Sequence, residues 1–350
     1  MPAPLTALQR MRFALFLRVT AVSAAIGAVY GFVHHQDGVS PLVNGLIGVA
    51  DGLFIGGGIA AIEIFVLREG SSMKRLLRLP FFALVALKTL AYGALAVAVI
   101  TVAARIGVPF GARTELATVG FSLAVTAIFV VTLQAASLIG RRTFRDLVLG
   151  RYRQPRPERR FFLFVDVIGS SAIAERLGAL QVHRFLSAVI SALAEPAAAC
   201  GGEIYQYVGD EMVVTWLEAE GTGGQAREAP PLHCYLEMQS ALAAAAPEFR
   251  ERFGVEPALR AALHLGEVIT GEVGEQRRAI VFHGDVMNAT SRLEQATRDL
   301  GCRFIVSADA LQALGRPSRF AYRDLGALAL RGLKEPVRAW ALEPTTGAAW

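Results

Sequence analysis

The chain has 350 residues, 53% hydrophobic and 19% charged, with a formal net charge of +5 and a mean hydropathy of +0.43. An ordinary soluble chain carries ~25% charged residues, so the composition argues against one soluble domain and excludes disorder, collagen and a disulfide scaffold. The apolar excess lies before Arg141 and the charges crowd in behind it, which gives a membrane half followed by a soluble half.

Four stretches, residues 13–33, 41–67, 79–104 and 116–139, have the ~20 residues needed to cross ~30 Å of hydrocarbon as helices. Arg10 and Arg12 precede the first; Lys74, Arg75 and Arg78 fill the second connection. Arg141, Arg142, Arg145, Arg151 and Arg153 follow the fourth. The first connection has no Lys or Arg, and the third has only Arg105 and Arg113. Basic residues favour the cytoplasmic side, so both termini and the soluble half are expected on the cytoplasmic face of the inner membrane. A cleaved signal peptide is the rival reading of the first span; the three later spans and the charge alternation disfavour it.

Arg18, Asp51, Glu63 and Lys88 lie inside the spans, where a charge costs about 3 kcal/mol at the helix centre. Snorkelling of Arg18, and pairing or inward facing of the others, is the favoured expectation; a sensing or ion-linked site is the alternative. Gly56-Gly57-Gly58 permits close helix packing. The net positive charge is mostly arginine beside the membrane, so no nucleic-acid partner follows from it. Cys200, Cys234 and Cys302 have no metal-ligand spacing and are expected as reduced thiols.

Residues 141–160 are expected to carry a helix out of the membrane as far as Tyr152. Pro155 and Pro157 then forbid its continuation, and a new domain is expected to open at Phe161. There a short apolar strand runs into Asp166. Val182, Phe185, Leu186, Val189, Ile190 and Leu193 recur at helical spacing. Residues 202–208 and 212–216 flank Gly209-Asp210 as a hairpin, and 232–249 form another helix. Strands at 259–269, 279–282 and 303–306 and a helix at 286–300 complete the pattern. Elements in this order suggest an α+β sandwich, with helices on a single face of one sheet.

Two carboxylates carry chemistry. Asp166 ends the first strand and Asp210 sits at the hairpin tip; aspartates at strand ends supply the hard oxygen ligands that Mg²⁺ requires for phosphoryl transfer. Ile168, Gly169, Ser170 and Ser171 follow at once and open a helix, where backbone N–H groups meet phosphate oxygens. Taken singly, Gly-Asp is a turn and Ser-Ser a helix cap. Glu211 is expected to point away from the metals, since strand neighbours face opposite sides. His264 is expected to be packed, and Trp216 and Trp340 to be core aromatics.

FLFVDVIGSS, GGEIYQYVGDEMVVTW, LRAALHLGEVITGEVG, VFHGDVMNATSRLE and LRGLKEPVRAWAL occur in that order. Together they resemble the catalytic domain of the class III nucleotide cyclases, the adenylate and guanylate cyclase family. The resemblance implies a four-span membrane anchor (1–140), a juxtamembrane linker (141–160) and an α+β, ferredoxin-like (palm-type) cyclase domain (161–345). It implies two Mg²⁺ or Mn²⁺ ions held by Asp166, Asp210 and the backbone of Val167. The turn at Ile168, Gly169, Ser170 and Ser171, with Arg260 and Lys334, would hold the triphosphate. Asn288 and Arg292, the N-x-x-x-R pair, would orient the ribose and stabilise the transition state, from the other subunit of a homodimer with shared sites. Gln206 and Val281 fall where the family reads the base. They match neither the adenine-reading nor the guanine-reading pair, so ATP is expected, with GTP or a pyrimidine nucleotide open. An inactive cyclase-like regulatory module and a diguanylate cyclase, suggested by Gly209-Asp210-Glu211, are the other readings. The intact motif residues oppose the first, and N-x-x-x-R opposes the second.

Overall fold

The computed structural model describes residues 7–33, 40–66, 79–105, 112–222, 229–276 and 278–345. The chain divides into two compact units, Met1–Phe144 and Arg145–Trp350.

The first unit is helical: α1 (Ala7–Val33), α2 (Pro41–Asp51), α3 (Gly57–Ala61), α4 (Phe81–Arg105) and α5 (Ala112–Ile139). Wider π-helical turns at Gly52–Gly56 and Ile62–Val66 continue α2 and α3 into one segment. Four stretches are long and apolar enough to cross a membrane: Phe13–Val33, Pro41–Phe65, Phe81–Val102 and Val119–Ala136. A Cβ on Gly56 would lie 2.2 Å from that of Ser23, so this helix pair packs at a distance only glycine allows. Lys88 pairs with Glu63 at 2.7 Å, and Tyr92 donates to the same carboxylate at 2.8 Å. That leaves neither buried charge without a counterpart. Arg18 and Asp51 line one largely apolar cavity of about 510 Å³ between α1, α2 and α5. Lys74, Arg75 and Arg78, on which the orientation partly rests, lie outside the described residues.

The linker departs from expectation. No single helix runs from the fourth span to Tyr152: α5 stops at Ile139, Gly140 turns the chain at φ +90°, and α6 (Arg141–Val148) is separate. The first strand, β1 (Arg156–Val167), also begins five residues before Phe161. Pro157 does not prevent this, because β1 pairs with β3 only from Arg160 onward, so the proline occupies a stretch bonded on one side.

After β1 come α7 (Ser170–Leu177), α8 (Ala179–Ala199), β2 (Glu203–Val208), β3 (Glu211–Leu217), α9 (Glu218–Gly221) and α10 (Pro230–Phe253). Then follow β4 (Leu259–Val273), β5 (Ala279–His283), α11 (Asp285–Asp299), β6 (Phe304–Ser307), α12 (Ala308–Leu314), β7 (Phe320–Leu328) and β8 (Val337–Pro344). The strands form one eight-stranded sheet in the order β2-β3-β1-β4-β6-β8-β7, with β5 beside the far half of β4. Among the described strands, only β4 and β6 pair in parallel.

The apolar run of β1 is buried on both faces, as a central strand must be. Phe161, Leu163 and Val165 meet Phe185, Val189 and Leu193 of α8 and Leu232, Tyr235 and Met238 of α10. Each such side chain contributes roughly 1.5–3 kcal/mol on burial. Phe162 and Phe164 point the other way, into Val213, Phe282 and Val286 of α11, while Leu293 of α11 covers Ala262 and Ile305. Helices therefore cover both faces, not one. α11 buries Val286, Ala289, Thr290, Leu293 and Thr297, a complete stripe at helical spacing that demands a sheet face of its own.

Candidate active site at the end of the first strand

Asp166 lies directly opposite Arg260 across the β1–β4 ladder. The β2–β3 hairpin brings a second carboxylate to the same place: Gly209, at φ +64°, and Asp210 form a two-residue loop between Val208 and Glu211, which needs a glycine in such a turn. The Asp210 carboxyl stands beside that of Asp166. Burial, and then this neighbour, push the Asp166 carboxyl up to about 6, although Arg260 pulls the other way.

Arg260 bridges two carboxylates. Its Nη2 donates to Asp166 Oδ2, and its Nε donates to Glu294 Oε1 of α11 at 2.5 Å. Burial lowers the guanidinium's hold on its proton, and Asp166 and Glu294 more than restore it. Glu294 is itself buried, at 4% exposure, and burial raises its carboxyl despite Arg260. Glu211 was expected to point away and does not. Burial, then Glu294, Asp166 and Asp210, push it up to about 7. The alternation argument fails because Asp210 belongs to the turn. The register Val165↔Met212, carried one step further, sets Glu211 beside Asp166 on the same face. Four carboxylates thus converge around one guanidinium, a site short of positive charge. Glu211 is noted in the sequence only as a residue facing away, and Glu294 does not stand out there, though it falls on the buried stripe of α11 four residues after Thr290, where a charge calls for a partner.

The turn 168–171 lies at the end of β1. Ile168 N–H is held by the Ala258 carbonyl at 2.8 Å, Gly169 is left-handed at φ +72°, and no side chain caps α7. The first N–H groups of α7 are therefore open to an anion. Asn288 and Arg292 lie elsewhere: both are exposed on the outer side of α11, and Arg292 donates to Gln295 at 2.7 Å. Lys334 is exposed between β7 and β8. Gln206 is exposed on edge strand β2, immediately after a bulge between Ile204 and Gln206. Val281 is half-buried on β5, opposite Gly271. His264 is buried against Ser307 at 2.8 Å, and burial lowers its affinity for a proton; it is packed, as expected. Trp216 is in the core, its Nε1 donating to the Cys200 carbonyl.

Residues 155–344 match the family model of the adenylate and guanylate cyclase catalytic domain. Adenylate cyclase 2 of Rhizobium meliloti is 35% identical over 212 residues, which are 61% of this chain and 57% of that protein. The adenylate cyclase of Anabaena cylindrica is 28% identical over 166 residues, 46% of this chain and 32% of that one. The chain thus spans less than two thirds of each relative's length. A bacterial light-regulated adenylyl cyclase superposes with a TM-score of 0.52 at 18% identity, over 63% of each chain, a likeness of fold. The match takes in every strand of the sheet, the paired aspartates, Arg260 and the whole of α11. The chain belongs to the adenylate and guanylate cyclase catalytic domain family.

Proposed function

We propose that the protein is a membrane-anchored, homodimeric nucleotide cyclase that converts ATP to 3′,5′-cyclic AMP and pyrophosphate. The proposed organisation is a four-span anchor over residues 1–140, a linker over 141–160 and a catalytic domain over 161–345, with both termini cytoplasmic. The observation that carries the reading is the meeting of Asp166, Asp210, Arg260 and Glu294 around one spot beside an uncapped helix start.

Two neighbouring carboxylates, one of them buried and held protonated more readily by the other, fit a divalent cation, whose charge would relieve that crowding. Asp166, Asp210 and the carbonyl of Val167 would hold two ions, Mg²⁺ or Mn²⁺, which when bound neutralise phosphate charge and make the ribose 3′-hydroxyl more acidic. The rest falls to the chain's own groups. The turn 168–171 receives the phosphates on the N–H groups after Ile168, whose own N–H is held by Ala258, while Arg260 and Lys334 supply fixed cations to the triphosphate. The 3′-hydroxyl gives up its proton to solvent and its oxygen bonds to the α-phosphorus as the bond from that phosphorus to the bridging oxygen breaks and pyrophosphate leaves. Asn288 and Arg292 of a second copy donate to the crowded phosphorus centre, where charge builds up. Both are exposed in one chain, which supports an assembly in which each site takes them from the other subunit.

Adenine is supported by two relatives named adenylate cyclase and by Gln206, whose amide both donates and accepts. Val281 offers no hydrogen bond, which favours keeping GTP and the pyrimidine nucleotides as the second reading. Mass spectrometry of the products made by the full-length protein from ATP, GTP, CTP and UTP is the test. Cyclic AMP as the dominant product is expected. Preferential cyclisation of another base would overturn the choice of substrate, and no cyclic product would overturn the enzyme.

A further inference from the structure

Arg160 is 1% exposed, and no other Lys or Arg among the described residues is buried so deeply. Its guanidinium reaches three strands. Nε donates to Thr215 of β3 at 3.1 Å, Nη1 to Glu158 of β1 at 2.9 Å and Nη2 to Glu203 of β2 at 2.8 Å. The guanidinium carbon also stands 4.6 Å over the ring of Phe282 on β5. A leucine or methionine would fill the same volume without burying a charge, and such replacements are often neutral or stabilising. What a guanidinium adds is direction: a rigid fork that fixes several partners at once.

Two of those partners lie on the strands that carry the positions assigned to the base. Glu203 begins the strand that carries Gln206, and Phe282 follows Val281. The two strands meet across the face of the sheet, since Tyr205 packs on Phe282 with ring centroids 4.7 Å apart, and Phe162 closes on Phe282 from below at 5.5 Å. Tyr205 is also the residue that the β2 bulge leaves out of the ladder, between Ile204 and Gln206. A bulge re-aims the side chain next to it, and here the chain of contacts runs Arg160, Phe282, Tyr205, bulge, Gln206. On its other side Arg160 is tied to the segment entering β1. Glu158 accepts from Tyr152 Oη and Thr270 Oγ1, each at 2.9 Å; Tyr152 is 3% exposed, and its carbonyl accepts from Glu272 N–H at 2.9 Å.

We infer that Arg160 is a positioning residue for base selection: by holding Glu203 of β2 and Phe282 of β5, it sets where Gln206 and Val281 stand against the nucleobase, and Tyr152, through Glu158, couples that setting to the linker. This rests on the assignment of Gln206 and Val281 to the base. It adds a buried cation, remote from the phosphates, that governs which base is preferred and is reached from the juxtamembrane side.

The test uses the full-length protein and two readouts: kcat/KM for ATP, GTP, CTP and UTP, and calorimetric affinity for the α,β-methylene analogues of ATP and GTP. Arg160→Lys keeps the charge and loses the fork; Phe282→Leu removes the ring between Arg160 and Tyr205. Each is expected to change the ratio between preferred and second nucleotide about tenfold, mainly through KM and analogue affinity. The Mg²⁺ concentration for half-maximal velocity should stay put. Tyr152→Phe, which removes one hydrogen bond, should move the ratio the same way by about two- to threefold. An equal loss on all four nucleotides, with unchanged ratios, would make the cluster merely structural and overturn the inference. Should Arg160→Lys fail to fold, Phe282→Leu and Tyr205→Leu read the same ratio. Gln206→Ala separates the layers. If it leaves base preference untouched, the underlying assignment fails; if it changes preference while Arg160→Lys and Phe282→Leu do not, only this inference fails.

Discussion

Arg292 and Glu294 stand two positions apart on α11 and face opposite ways. Glu294 is buried and accepts from Arg260 at 2.5 Å, whereas Arg292 is exposed and donates to its helical neighbour Gln295. Two residues on an α-helix are ~200° apart, so a helix that aims Glu294 at Asp166 must aim Arg292 away from it. Asn288, one turn earlier on the same outward side, shares that direction. One helix therefore serves its own carboxylate cluster with one face and offers the N-x-x-x-R pair to something else with the other.

Asp210 is placed beside Asp166 by a two-residue turn, and the proposed metal site draws on both. Asp166→Ala and Asp210→Ala are each expected to abolish Mg²⁺- and Mn²⁺-supported turnover; Asp210→Ala should leave the unfolding temperature close to wild type or above it, since it removes one of two neighbouring acids, whereas Asp166→Ala should lower it, since it also strips Arg260 of a partner. Substantial activity in Asp210→Ala would sink the metal assignment.

Glu294 holds Arg260 through Nε while Asp166 takes Nη2. Glu294→Gln keeps an acceptor but removes the charge, and a charge-assisted bond contributes about 1.5–3 kcal/mol. The expected result is a fall in kcat/KM of about tenfold or more, largely in KM, because the arginine that would meet the triphosphate loses its hold. Glu294→Asp should recover part of the loss. An unchanged KM would remove Glu294 from the positioning of Arg260.

Much of this arrangement is visible in the sequence. The stripe from Val182 to Leu193 builds α8, and Gly209-Asp210 between two β-rich runs marks the hairpin, because period and turn chemistry are local. The losses have a common cause in contacts between strands distant in sequence. Arg160 closes a basic run that resembles a solvated juxtamembrane segment, and only the pairing of β1 with β3 and β4 buries it. Glu211 was lost to an alternation rule that a turn residue does not obey. β7 and β8 were passed over, since FAYRDLGAL mixes charge, glycine and half-buried positions, with a register shift between Asp324 and Gly326.

Glu158 supplies a pH dependence. Burial pushes its carboxyl up, but bonds from Thr270, Arg160 and Tyr152 outweigh this and hold it below the ordinary 4.5. A folded-state value below the unfolded one stabilises above the unfolded value, and the contribution is lost as pH falls through the folded one. All three tryptophans follow Arg145 in the sequence, and Trp216 and Trp340 belong to the second unit, so tryptophan fluorescence reports its unfolding. Glu158→Gln is expected to unfold at lower temperature than wild type near pH 7, by a difference worth about 1–3 kcal/mol. The gap should narrow as pH drops below about 4.5. A gap that stays constant to pH 3 would mean that Glu158 is not the ionised partner of Arg160.

Gln206 follows the β2 bulge with its amide exposed. If it reads the base, Gln206→Lys should raise the preference for ATP over the other nucleotides, and Gln206→Glu should shift it toward GTP, each by about tenfold for one recognition bond. Unchanged selectivity in both variants would place base recognition elsewhere on the chain.

The opposed directions of Arg292 and Glu294 lead to the sharpest test. If Asn288 and Arg292 complete a site on a second copy, two-fold symmetry gives two equivalent sites per dimer, each with its aspartates from one chain and its N-x-x-x-R pair from the other. Asp210→Ala and Arg292→Ala should each be nearly inactive alone. In a dimer of one with the other, both lesions fall in the same site, and the second site has neither. Random pairing makes about half of all dimers mixed, each with one of two sites intact, so co-expression should recover about a quarter of wild-type activity. Differently tagged subunits, captured in series, would isolate the mixed dimer, whose activity should be about half of wild type per dimer. Mixed dimers without activity would mean that Arg292 serves the site of its own chain, which the outward face of α11 argues against.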